Sequence, residues 1–275
     1  KSVDHLILNE AEITLPMFLN DLNEGNPKRK YTSDDWANIA TTPLPLWDIV
    51  PIKNYTSMNL QYSRGCPYDC DFCDITVLYG RKPRTKTKDQ VIAEQETLYF
   101  IGWRGPVFFV DDNFIGNKNK VKNNLLPDLK IWMQSHKFPF TFNTETSINL
   151  SDDKELMALM VESGFNSTFI GIETTEEESL QECNKFQNKN RDLLQSVKKI
   201  QNAGMQVSGG FIVGFDSDTS KVFQRLIDFI QQSGIVSAMV GLLNAPKNTK
   251  LYKQLEAENR ITSEATGNNT DFSMN

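Results

Sequence analysis

From about residue 56 onward, short apolar runs alternate with longer amphipathic stretches, and this rhythm admits few folds. A strand that hands over to a helix before the next strand must pair in parallel, with the helices laid against the sheet. Six such units can be read. The predicted strands are Met58 to Ser63, Val107 to Val110, Phe140 to Thr144, Ser167 to Ile172, Gln206 to Val213 and Ile235 to Leu242. Predicted helices fill the gaps. The first runs from about Asp89 to Gly102, with Val91, Ile92, Leu98 and Ile101 on one inward stripe. A second runs from Lys118 to Ser135, interrupted or restarted near Pro127, and a third opens at Ser151. Three more are expected at about Arg191 to Ala203, Thr219 to Gln232 and Leu251 to Glu258. Six parallel strands are too few for the usual eight-stranded closure. The expected class is therefore α/β, with a partial (β/α)6 TIM-like barrel over residues 57–262.

With 275 residues the chain can bury one large core or two modest ones, and a net charge of −6 argues against a general nucleic-acid surface. The basic stretch Arg81-Lys82-Pro83-Arg84-Thr85-Lys86-Thr87-Lys88 is a local exception. No apolar run approaches the roughly 20 residues of a membrane span, so no integral membrane segment is expected.

The chemistry gathers in Ser63-Arg64-Gly65-Cys66-Pro67-Tyr68-Asp69-Cys70-Asp71-Phe72-Cys73, a C-x3-C-x2-C run placed directly after the first predicted strand. Zinc prefers four ligands in short pairs, and the two histidines, His5 and His136, are not placed to complete such a set. A disulfide framework suits a short secreted domain, not a chain of this length with four cysteines. The remaining reading is that Cys66, Cys70 and Cys73 are at once metal ligands and catalytic residues. They would bind three irons of a [4Fe–4S] cluster, while the fourth iron stays open because Cys183 is distant in sequence. Oxidation-sensitive thiols of this kind imply a reducing, cytoplasmic setting.

This run, with an aromatic before its last cysteine, resembles the signature of the radical S-adenosylmethionine (radical SAM) superfamily. The resemblance implies that SAM chelates the open iron and is cleaved reductively to methionine and a 5'-deoxyadenosyl radical. A reductant such as flavodoxin or ferredoxin would supply the electron. It also implies cofactor-binding positions. Phe72 matches the aromatic that packs near adenine, and Gly210, Ile212 and Gly214 match a Gly-x-Ile-x-Gly element whose backbone lies along adenine. Where many members carry Gly-Gly-Glu for the SAM amino group, this chain has Asp111-Asp112-Asn113. Asp112 or Asn113 can accept from an ammonium, or the run simply caps its loop. Thr144, Glu145 and Ser147 are expected at one mouth with Glu173, the two glutamates being candidates for the ribose hydroxyls and methionine groups. Arg84 is the candidate partner of the SAM carboxylate or of an anionic substrate.

Within the superfamily the chain resembles the cobalamin (B12)-binding subgroup, including hopanoid methylases and proteins like the anaerobic magnesium-protoporphyrin ester cyclase. Residues 1–25 resemble the last strand and helix of a Rossmann-like cobalamin-binding domain, with His5 structural and cobalamin bound only by the full-length protein. Residues 26–56 are expected to be a linker packed on the barrel through Leu46-Trp47, and residues 263–275 the start of a truncated C-terminal region. The implied reaction is cobalamin-dependent C-methylation or cyclisation of a hydrophobic small molecule, a lipid or tetrapyrrole. The protein would be cytoplasmic, or peripheral to a membrane if the substrate is a lipid. Two alternatives stay open: a tRNA methylthiotransferase-like enzyme, whose extra upstream cysteines are absent from residues 1 to 65, and a non-catalytic iron–sulfur sensor.

Overall fold

The structure, a computed structural model, describes residues 3–262, so the expected C-terminal region at 263–275 lies outside the described residues. Its centre is one sheet of six parallel strands: β1 (Met58–Leu60), β2 (Gly105–Phe109), β3 (Phe140–Thr146), β4 (Phe165–Glu173), β5 (Gln206–Val213) and β6 (Ser237–Leu242). They stand side by side in chain order, every neighbouring pair parallel. This is the partial barrel expected from the six βα units. The helices Lys88–Phe100, Leu126–Ser135, Lys154–Glu162, Leu193–Asn202 and Val222–Ser233 return the chain between strands.

Strand alternation explains the two faces of the sheet. Along β4, Thr168, Ile170 and Ile172 are buried, while Ser167, Phe169 and Gly171 between them are half-buried. The buried set joins the core beneath the helices; the alternate set lines the open concave side. Phe109, Phe114, Phe142 and Phe165 interlock in the core with ring centroids 5.0 to 5.4 Å apart. Each such ring contributes roughly 1.5–3 kcal/mol by leaving water. Phe114 directly follows Asp112 and Asn113, so this packing fixes the turn that carries them.

Local chemistry explains several element ends. Thr87 and Gln90 form a reciprocal capping box at the start of the first barrel helix, the Thr87 hydroxyl accepting from the Gln90 amide at 3.2 Å. The break expected near Pro127 is a π turn, Val121–Leu125, leading into a helix with the proline in its first turn, where a missing N–H costs nothing. The third helix does not open at Ser151. Residues Ile148–Asp152 form a 3-10 turn, and Asp153 caps the helix by accepting from the Leu156 amide at 2.9 Å.

The first strand is also shorter than expected, because beyond Leu60 the chain leaves the sheet. Tyr62 and Ser63 direct their amides to the Asp111 carboxylate, the first at 3.0 Å. At the N-terminus, Leu6–Ile7, the helix Ala11–Asn23 and Lys30–Tyr31 form a βαβ unit with parallel strands. That unit therefore runs past residue 25 into the segment expected to be linker. His5 is structural there, its Nδ1 2.7 Å from the Lys28 carbonyl oxygen. Of the Leu46-Trp47 pair, only Trp47 packs on the core; Leu46 is 69% exposed.

Candidate active site

The cysteine loop leaves the barrel through a pinched neck. Ser63–Arg64 pairs antiparallel with Arg84–Thr85, closing the loop between them. Gly65 has φ +94, and a Cβ there would lie 2.8 Å from the Gly80 carbonyl oxygen, which accepts the Cys66 amide at 3.3 Å. Only glycine fits that approach. The Gly65 amide in turn donates to Asp112 Oδ2 at 3.0 Å.

Asp111 is fully buried, and burial pushes its carboxyl up to about 7 despite the bonds from Ser63 and Tyr62. Asp111 thus ends β1, Asp112 fixes the neck, and Asn113 reaches a thiol. The Asn113 Nδ2 donates to Cys66 Sγ at 3.8 Å and to Ser147 Oγ at 3.3 Å. The run caps a loop and also faces the site.

Cys66, Cys70 and Cys73 line one cavity of about 230 Å³ at the C-terminal mouth of the barrel, together with Phe72, Asp112, Asn113, Glu145, Ser147 and Glu173. Chain topology brings these residues together from four separate segments. The Glu145 carboxylate has no hydrogen-bond partner among the described residues and is pushed up by burial and by the Asp112 charge. Thr144 is not at the mouth. It sits one residue before Glu145, so the strand turns it to the other face, where its hydroxyl donates to the Phe109 carbonyl at 2.9 Å.

Sequence reasoning missed Lys185, Gln187, Tyr68 and Phe169, which also line this cavity. No spacing marks them, since a short helix, Glu177–Glu182, and a 3-10 turn, Phe186–Asn188, deliver Lys185 and Gln187 from beyond β4. Lys185 pairs with Glu173 at 2.5 Å. Burial opposes its charge, but Glu173 and Cys70 outweigh that and hold the ammonium above its ordinary range. Glu173 is aimed by a bulge: its φ is +63 and the β4–β5 register shifts between Gly171 and Glu173. A Cβ on Gly171 would lie 2.4 Å from the Glu173 carboxylate, so the glycine makes room for the pair. Gln187 Nε2 donates to Cys70 Sγ at 3.7 Å.

Four expected positions lie elsewhere. Arg84 faces away, its Nη1 bonded to both Glu10 oxygens at 2.9 and 3.0 Å and to the Ala37 carbonyl at 2.7 Å. It is therefore not available to a SAM carboxylate in this cavity; a basic stretch after the cysteines could not say which way each cation points. Gly214 lines a neighbouring cavity of about 260 Å³ with Phe215, Leu243 and Ala245, and Phe72 borders both cavities. Gly210 and Ile212 line neither of the two. Gly210 instead makes space for Phe169, whose ring would lie 2.8 Å from an added Cβ.

The donor set suits an iron–sulfur cluster. Burial pushes all three thiols up, Cys73 to about 12 with Cys70 and Cys66 adding repulsion. Three thiolates there demand a multiply charged cation, which deprotonates its own ligands on binding. Among the described residues no group of three or more His, Cys, Asp and Glu side chains is placed to hold a single metal ion. Six acidic groups, the thiols with Asp112, Glu145 and Glu173, face one lysine, leaving a site complementary to a cluster and a cationic cofactor.

Comparison with known proteins agrees. The chain is 48% identical over 265 residues to an uncharacterized methyltransferase of Synechocystis sp., covering 96% of this chain and 49% of the relative. It is 38% identical over 249 residues to the hopanoid C-2 methylase of Rhodopseudomonas palustris, covering 90% and 47%. The chain thus spans about half the length of these relatives. Among solved structures, the fold matches the cobalamin-dependent SAM radical enzyme OxsB with TM-score 0.70 at 17% identity, over 92% of this chain and 44% of that one. It also matches the radical SAM methyltransferase TsrM of Kitasatospora setae, with TM-score 0.66 at 16% identity, over 76% and 38%. The family model for the radical SAM superfamily matches residues 60–230, well over half of the chain. With its three cysteines on one cavity wall at the mouth of a six-stranded partial barrel, the chain belongs to the radical SAM superfamily, whose members use a [4Fe–4S] cluster and SAM.

Proposed function

We propose that the chain is the catalytic core of a radical SAM C-methylase acting on a hydrophobic small molecule, with cobalamin held by the longer protein as methyl carrier. The observation that carries this is the cavity itself, where Cys66, Cys70 and Cys73 share a wall with Asp112, Asn113, Glu145 and Glu173. The likeness to a hopanoid C-2 methylase supports the methylase reading over cyclisation and over methylthiolation, and favours a polycyclic lipid over a tetrapyrrole as the substrate class. The bound cluster would supply the single electron that cleaves the SAM sulfonium.

The chain's own residues would bind and orient. Cys66, Cys70 and Cys73 hold the cluster, while Asn113 and Gln187 donate to Cys66 and Cys70 and stabilise their negative charge. Glu145, with no competing partner among the described residues, and Asp112 accept the SAM ammonium. Phe72 and the backbone about Gly214, which line the neighbouring cavity, would bind the adenine. Among the described residues no helix is long and apolar enough to cross a membrane.

The test is anaerobic reconstitution of the full-length protein with iron, sulfide, cobalamin and a low-potential reductant. It is then incubated with methyl-labelled SAM and panels of polycyclic lipids and tetrapyrroles. Deoxyadenosine formation with label transferred to carbon of a lipid is the expected result. Cluster-loaded protein that leaves SAM intact with every substrate would sink the proposal.

A further inference from the structure

Two arginines face each other across the neck of the cysteine loop. Arg64 and Arg84 are directly opposed in the antiparallel pair, and like charges so placed push strands apart. What holds them is a carboxylate from the N-terminal unit. Glu10, only 4% exposed, accepts from Arg64 Nη1 at 2.7 Å and from Arg84 Nη1 at 2.9 and 3.0 Å. It also takes the Ala37 amide at 2.8 Å, and Glu12 adds a second carboxylate on Arg64 at 2.6 Å. The segment that follows this unit also packs on the neck. The Trp36 ring occupies the space where a Cβ on Gly80 would stand, at 2.6 Å, and the Gly80 carbonyl is the acceptor of the Cys66 amide.

We infer that Glu10 is a positioning residue for the cluster loop: by bridging Arg64 and Arg84 it keeps the neck shut, so the N-terminal unit sets how firmly the three thiols retain a cluster. This rests on the reading that Cys66, Cys70 and Cys73 hold that cluster. Without the Glu10 charge, the opposed guanidiniums repel across the strand pair that closes the loop. The loop then opens and exposes its ligands to water and chelators, while the six-stranded sheet, which Glu10 does not touch, stays folded.

The experiment compares wild type with Glu10→Gln, Glu10→Asp and Tyr31→Phe, each reconstituted anaerobically. Glu10→Asp keeps the charge but is too short to bridge both arginines. Tyr31→Phe removes bonds to Asp21 and the Lys28 amide within the same N-terminal unit, away from the neck. Two quantities are read: the rate of iron release to a ferrous chelator, and the thermal midpoint of the cluster-free chain. Loss of a supporting partner typically weakens metal retention about 10- to 100-fold, so both Glu10 variants should release iron faster by roughly that factor. Tyr31→Phe should release at the wild-type rate even where its midpoint falls. Release at the wild-type rate from Glu10→Gln overturns the clamp. So does acceleration that simply follows the midpoint in all variants, or failure of both Glu10 variants to fold. A wild-type chain that takes up no cluster defeats the cysteine reading and the clamp with it.

Discussion

Removing the ammonium of Lys185 should destabilise the fold and shift the cluster's potential. The Lys185–Glu173 pair lies 2.5 Å apart with side chains only 12% and 9% exposed. A bulge, a positive φ at Glu173 and a glycine at 171 all give it room. In Lys185→Met the Glu173 carboxylate is left buried without its cation. Breaking a buried pair in this way costs about 3–5 kcal/mol. For a domain of this size that corresponds to a fall in Tm of roughly 6–20 °C. The measurement is equilibrium urea unfolding of the cluster-free chain, with the m-value unchanged between variants. Adding Glu173→Gln to Lys185→Met removes the stranded charge and should recover most of the loss. A single-variant cost below about 1 kcal/mol, the scale of an exposed pair, would refute the reasoning; so would a double variant no more stable than the single. In the loaded protein the same substitution removes positive charge beside Cys70, so the midpoint of an EPR-monitored redox titration should move to more negative potential.

Glu145→Gln should weaken SAM binding roughly 10- to 150-fold, the loss of one charge-assisted hydrogen bond, measured by equilibrium dialysis with cluster-loaded protein. Its effect on the cluster-free chain has the opposite sign. Burial and Asp112 raise the Glu145 value in the folded state, so the native protein binds the extra proton and stability falls as pH rises from the ordinary carboxylate range through that raised value. The Gln variant should lose this part of the slope and be no less stable at neutral pH, as urea midpoints from pH 4 to 8 will show. Gly210→Ala should cost about 1–3 kcal/mol by overpacking against Phe169, whereas Gly241→Ala in β6, with nothing within 4 Å of the added methyl, should be neutral or slightly stabilising in the same assay. Cys183→Ala should retain the full iron content of wild type, because Cys183 borders the neighbouring cavity and not the cluster site, while alanine at Cys66, Cys70 or Cys73 should lose it by iron analysis.

Much of the fold was legible because it depends on local pattern. The alternation of apolar runs and amphipathic helices specifies parallel pairing, and all six strands form on the expected runs, although the first stops at Leu60 and the sixth begins at Ser237. The cysteine spacing marked the cluster loop for the same reason: ligands for one cluster lie within eight residues of sequence. Strand ends were less legible. Thr144 and Glu145 are neighbours in sequence, and only the pleat shows that they face opposite ways. The N-terminal segment misled more deeply. Lys30–Tyr31 is a strand only because Leu6–Ile7 is beside it, and two residues carry no periodicity.

Charge direction was invisible as well. Arg84 stands in a run of cations following the cysteines, yet it turns outward to Glu10, 74 positions earlier. Lys185 gave no signal and sits against the cysteine cavity. The sequence by itself determined the parallel α/β sheet and the three-thiol loop, because hydrophobic period and ligand spacing are properties of neighbours along the chain. Only the tertiary structure decided which carboxylates and cations surround that loop. Pairing a buried charge depends on distance in space, and the charged groups around the loop come from segments some 40 to 110 residues beyond it in sequence.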